Sequence, residues 1–149
     1  MPSGWLPVAE PQASGAHGVG RVLIAVYAVF AVAATARAAV QISSRFDEAP
    51  VAYALSAAAA LIYVVATVAL ARPGRVAYRL ALVACSTELA GVLVVGTASL
   101  AFPDEFPDAT VWSVYGRGYL FIPLVLPVLG LLWLRWSAPA AASRVRPSG

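Results

Sequence analysis

The 149-residue chain contains no lysine, a single cysteine and a single histidine. A lone cysteine excludes an intrachain disulfide in any compartment. His17 stands in an N-terminal tail and Cys85 inside an apolar run, so no His/Cys cluster offers the ligands of a zinc or haem site. Glycine-rich phosphate loops and the G-x-S-x-G elbow are absent too, and no cofactor is expected. Charged residues are scarce, at 11% against the roughly 25% of soluble domains, which excludes an ordinary water-soluble globule. Nor is there a basic patch interleaved with stacking aromatics, so nucleic acid is not an expected partner.

What the chain does have is oil. Hydrophobic residues make up 61% of it, in runs long enough to cross a hydrocarbon layer of about 30 Å, which takes about 20 helical residues. Four spans are expected: Val22 to Ser43, Val51 to Ala71, Val76 to Phe102 and Gly118 to Trp136. The runs are continuous and rich in Ala, Leu and Val, without the alternation of barrel strands, so the expected fold is all-α, a four-transmembrane-helix bundle over residues 19–136. Residues 1–18 and 137–149 are rich in Pro, Gly, Ala and Ser and read as disordered tails, the second one basic. The first run is long for a signal-peptide core and is preceded only by Glu10 and Arg21 as charges, so it is expected to stay as a span.

Arginine supplies every basic side chain and sets the orientation. The segments on one side of four spans hold Arg21, then Arg72, Arg75 and Arg79, then Arg135, Arg144 and Arg146. The other side holds Arg45 and Arg117 beside Asp47, Glu48, Asp104, Glu105 and Asp108. Because basic residues near span ends are retained inside, both termini are expected in the cytoplasm and the acidic loops outside. The net charge of +3 is thus a topology signal, with at most a weak attraction of the tail to anionic lipid.

Glu88 falls near the middle of the third span, where an ionised carboxylate costs several kcal/mol unless it faces the bundle interior. Counting about 1.5 Å per residue from the cytoplasmic ends, Glu88 and Tyr63 both lie about 12 to 14 Å deep. Tyr63 belongs to a stripe on the second span, Tyr53, Ser56, Ala60, Tyr63 and Thr67, whose steps of three and four keep it on one face. A tyrosine hydroxyl satisfies a carboxyl group in either protonation state, and a protonated Glu88 bonded to Tyr63 is the expectation. Arg37 is the other charge within the membrane. It lies about 24 Å along the first span from Arg21, roughly 10 Å further out than Glu88, so direct pairing is disfavoured. Gln41 and Ser44 share its face and suggest a hydrated outer vestibule. The candidate intramembrane polar site is therefore Glu88, Tyr63, Arg37 and Thr67, acting as a clamp between helices or, alternatively, as a proton or ion relay. Ala84, Gly91 and the region from Gly96 to Ser99 are small and would permit close helix approach, which suits the clamp.

The outer segment "FPDEFPDATVWSVYGRGYLFIPLVLP" mixes acids, aromatics and an arginine. Trp112, Tyr115 and Tyr119 stand where an aromatic belt would anchor the fourth span. Asp108, Trp112, Tyr115 and Arg117 are the candidate interaction surface. Asp104, Glu105 and Asp108 offer hard oxygen ligands but no fixed loop pattern, so solvated charge is expected rather than a metal site. Pro123 and Pro127 cannot donate backbone bonds and should kink the fourth span in its outer half.

The stretches "FDEAPVAYALSAAAALIYVVATVAL" and "FPDATVWSVYGRGYLFIPLVLPVLGLLWL" resemble a group of small four-span integral membrane proteins of actinobacteria, over about Val19 to Trp136. The resemblance implies a multi-pass protein of the bacterial plasma membrane and transfers no catalytic residue. One His and one Cys assemble no nucleophile and base, so an enzyme is not expected. The expectation is a noncatalytic structural or accessory component of a membrane assembly, with the lipid bilayer and either its own copies or a larger complex as partners. The alternative is a proton- or small-solute-conducting carrier that uses Glu88, Tyr63 and Arg37. A reporter fused after Gly149 tests the orientation: activity only with a cytoplasmic reporter is expected, and activity only with a periplasmic one inverts the arrangement.

Overall fold

The computed structural model describes residues 11–107 and 109–144, with side chains described over 18–107 and 109–137, so Asp108 lies outside the described residues. Four long helices follow one another: α1 (Pro11–Arg45), α2 (Pro50–Ala71), α3 (Arg75–Ala101) and α4 (Ile122–Arg144). No strand occurs among the described residues. Three of the helices are long and apolar enough to cross a membrane, with mean hydropathies of 2.0, 2.2 and 1.9, and α4 makes a fourth if it is counted together with the bent segment before it.

Local chemistry sets the boundaries. Pro50 opens α2 at a position whose missing N–H costs no helical hydrogen bond. Pro73 stops it, and Gly74 turns the chain at φ +107°, a conformation that side-chain-bearing residues rarely adopt. Phe102 ends α3 because the following Pro103 disfavours helical backbone in the residue before it. The α1–α2 corner is a short 3-10 turn, Phe46–Glu48. Each helix packs on the next and α1 also meets α4, which closes a ring. Near the arginine-rich end, the Tyr78 hydroxyl at the start of α3 donates to the Leu134 carbonyl late in α4, 3.3 Å away.

The bundle is apolar on both sides. Valines and leucines such as Val22, Val32, Leu61, Val83 and Val94 point outward, while the inner face of α3 reads Ala81, Ala84, Cys85, Glu88, Val92, Val95 and Ser99. Those inner positions step by three and four, so the one acid of α3 falls on the face that the other helices cover. A carboxyl group inside and oil outside is the inverse of a soluble bundle, and it suits a hydrocarbon solvent.

Between α3 and α4 the chain leaves the surface at Thr110 and is largely buried as far as Gly116. After a 3-10 turn at Pro103–Glu105, the segment around Thr110–Tyr119 folds back against α3, and a bend of 99° separates Ser113–Tyr119 from the helix beginning at Ile122. That bend lies just ahead of the two prolines expected to kink the span. Pro123 sits in the first turn of α4, where a missing donor is tolerated, and the change of direction falls on Leu120 and Phe121, at φ 59° and 60°. Val114 and Tyr115 also hold positive φ. Left-handed backbone at four non-glycine residues costs on the order of 1 to 2 kcal/mol each, so the contacts of this segment must offset several kcal/mol.

The small residues of α3 supply room for those contacts. Gly91, ten residues or about 15 Å before the end of α3, lies under the Trp112 ring, and a Cβ there would come within 2.6 Å of it. Gly96 likewise lies under Tyr115. These glycines admit the folded-back segment rather than a neighbouring helix, which corrects the packing role expected of them. Gly91→Leu is predicted to displace the indole and destabilise the protein by about 1 to 3 kcal/mol, read as a lower melting temperature in detergent micelles. Gly118→Ala, which meets nothing within 4 Å, should stay within about 0.5 kcal/mol of wild type.

Candidate functional site: a buried carboxyl at the bundle centre

Glu88 is completely buried. Its Oε2 accepts a 2.7 Å hydrogen bond from the hydroxyl of Tyr27, which reaches it across the bundle from α1. The same tyrosine oxygen lies 3.4 Å from Cys85 Sγ, one turn before Glu88 on α3. Gly130 of α4 closes the group from the far side, since a Cβ at that position would come within 2.9 Å of the sulfur. Tyr63 on α2, the partner expected from the sequence, also interacts with the carboxyl. Among the described residues Glu88 Oε1 has no hydrogen bond of its own.

Tyr63 is engaged from the other direction. Its hydroxyl accepts the indole N–H of Trp112 at 3.2 Å. Having accepted there, the hydroxyl keeps its own proton for donation, and Glu88 Oε1 is the neighbouring acceptor that lacks one. The acid is thus approached from α1 by Tyr27, from α2 by Tyr63, and by the folded-back segment through Tyr63.

The sequence-predicted residues are distributed as follows. Tyr53, Ser56, Ala60 and Tyr63 are buried along α2, while Thr67, half-buried, donates to the Tyr63 carbonyl of its own helix at 2.6 Å. Thr67 therefore does not reach Glu88. Arg37 is held elsewhere: Nη1 donates to the Tyr119 hydroxyl at 2.6 Å and Nη2 to the Ala109 carbonyl at 2.7 Å. A ladder of rings joins the two charged positions without pairing them, from Tyr27 to Tyr63 (6.2 Å between centroids), Tyr63 to Phe30 (5.6 Å) and Phe30 to Tyr119 (5.8 Å). Gln41, four residues beyond Arg37, has a buried Oε1 without a donor among the described residues.

Trp112 departs most from expectation. It is 3% exposed and plugs the bundle, so it is no member of a surface belt. A turn organises the backbone around it, with the Thr110 N–H donating to Ser113 Oγ at 2.8 Å and the Trp112 N–H to Thr110 Oγ1 at 3.1 Å. The Val114 N–H donates to Ser99 Oγ at 2.9 Å, and the Tyr115 and Thr97 hydroxyls lie 2.8 Å apart. Arg117 is exposed, Asp104 and Glu105 are exposed, and Asp108 falls outside the described residues. No group of three metal-ligating side chains occurs among the described residues.

Tyr27 is the functional residue that sequence reasoning missed. The signal was present: stepping back from Gln41 and Arg37 by threes and fours gives Ala34, Phe30 and Tyr27 on one face of α1. Tyr27→Phe and Glu88→Gln are each predicted to destabilise the protein by about 1 to 3 kcal/mol, because each leaves a buried polar group less satisfied. Combined, the two should be less than additive, with a coupling of about 0.6 to 2 kcal/mol in a melting cycle; strict additivity would deny the bond. Compared with known protein families, curated proteins and solved structures, the chain matches none.

Proposed function

We propose that this is a small multi-pass protein of the bacterial plasma membrane, with four spans and both termini in the cytoplasm, acting as a noncatalytic structural or accessory component of a membrane assembly. In this reading Glu88 is an internal clamp. One observation carries it: the carboxyl group is fully buried and tied to a hydroxyl on another helix, with a second hydroxyl beside it that the folded-back segment holds in place. Buried polar contacts of this kind bind helices together by about 0.6 to 2 kcal/mol each without moving any solute. The outward valines and leucines, together with an apolar groove between α1 and α4 lined by Val19, Val22, Leu129, Leu132, Trp133 and Trp136, leave ample surface for lipid, further copies or a larger complex.

A carrier is the second reading, and the two buried oxygens without donors, on Glu88 and Gln41, are what favour it. Such atoms are where a transient proton or water would bind. Purification from membranes and reconstitution of wild type and Glu88→Gln into proteoliposomes separate the readings. The structural role predicts copurifying subunits or a defined self-assembly that Glu88→Gln weakens, and no pH-driven flux in either protein. Flux in wild type that Glu88→Gln abolishes while the fold survives would replace the clamp by a relay.

A further inference from the structure

Arg37 raises a question that the Glu88 clamp does not answer. It lies eight residues before the end of α1, about 12 Å inside the helix. Its guanidinium is half-buried and makes its hydrogen bonds to two neutral oxygens, those of Tyr119 and Ala109. Among the described residues no carboxylate pairs with Arg37, and a partly buried guanidinium attracts whatever anion can reach it.

The surroundings of Arg37 have the properties of an anion's shell. A cavity of about 20 Å³ opens beside the guanidinium, lined by Phe30, Ala33, Ala34, Ser56, Val111 and Tyr119. That is room for one water-sized particle. Tyr119 accepts from Arg37, so its hydroxyl proton is free to donate, and a guanidinium has five N–H groups, more than its two bonds here use. Phe30 meets Tyr119 edge to face, and ring edges carry partial positive charge. The donors, the charge and the small volume converge on one particle. We propose that this cavity is a binding site for a single halide-sized monovalent anion, held by the Arg37 guanidinium and the Tyr119 hydroxyl.

Size and charge define the selectivity. Chloride and bromide fit the volume, whereas gluconate and sulfate do not. Among the described residues the acids at this end of the bundle, Asp47, Glu48, Asp104 and Glu105, are exposed, where water and salt screen them, whereas Arg37 lines the cavity. The site is independent of the proposed function, since it uses neither Glu88 nor Tyr63.

The full-length protein in detergent micelles provides the test, through its melting temperature in sodium chloride, sodium bromide and sodium gluconate at matched ionic strength. Chloride and bromide should raise the melting temperature saturably and gluconate should not. Tyr119→Phe removes one donor and leaves the packing, and it should weaken half-saturation about tenfold, or ~1.4 kcal/mol. Arg37→Gln should abolish the response, and the still-folded Tyr119→Phe protein decides the matter if Arg37→Gln fails to fold. Bromide soaked into crystals should appear by anomalous scattering beside Arg37. Equal stabilisation by gluconate, an unchanged halide response in Tyr119→Phe, or a water with no anomalous signal at that position would each overturn the proposal.

Discussion

The hydrogen bond from Tyr27 to Glu88 is the interaction on which the rest of this structure depends. An acid at the centre of an oily bundle is tolerable only with hydrogen-bond partners, and α3 cannot supply them from its own surface. The donor comes from α1, across the full width of the bundle, and a tyrosine is the residue for that reach because its ring fills apolar space while its hydroxyl stays polar. Once that bond exists, the rotation of α1 and the rotation of α3 are fixed relative to each other. Cys85 and Gly130 then follow as small neighbours that leave the tyrosine hydroxyl its room.

The folded-back segment extends the same logic to the acidic end. A hydrocarbon solvent, which the outward side chains would suit, rewards no outward apolar contact over another, so specificity there comes from close packing and polar bonds inside. Trp112 provides both, sitting over Gly91 and donating to Tyr63. Four residues in left-handed backbone show that the segment is bent to bring it there. Ser99, Thr97 and Arg37 take up its remaining polar groups, so the strain is distributed over many small bonds.

Much of this was legible in the sequence. The long apolar runs announce the helices, and their ends at Pro50, Pro73 and Pro103 follow from proline chemistry alone. The α2 stripe through Tyr53, Ser56 and Tyr63 could be read from spacing, as could the inward placement of an acid in α3. Depth picks out Tyr63, which does interact with Glu88, but misses Tyr27, because depth measured along the axis ignores the long reach of a side chain pointing across the bundle. Tyr27 stands alone in an apolar stretch, where nothing but its face on α1 marks it. Trp112 was harder still. Aromatics beside acids and glycines suit a surface belt and a re-entrant turn equally well in composition, and the difference lies in backbone dihedrals that no propensity at Val114 or Leu120 foretells.

The most direct measurement of the central claim is the infrared carboxyl band of Glu88 in lipid bilayers, isolated as the difference between wild type and Glu88→Gln. The band should shift when Tyr27 is replaced by phenylalanine and stay where it is when Tyr78, at the far end of α3, is replaced in the same way. A band that ignores Tyr27, or a carboxyl group that exchanges its hydrogen-bond partners freely with bulk water, would contradict the account.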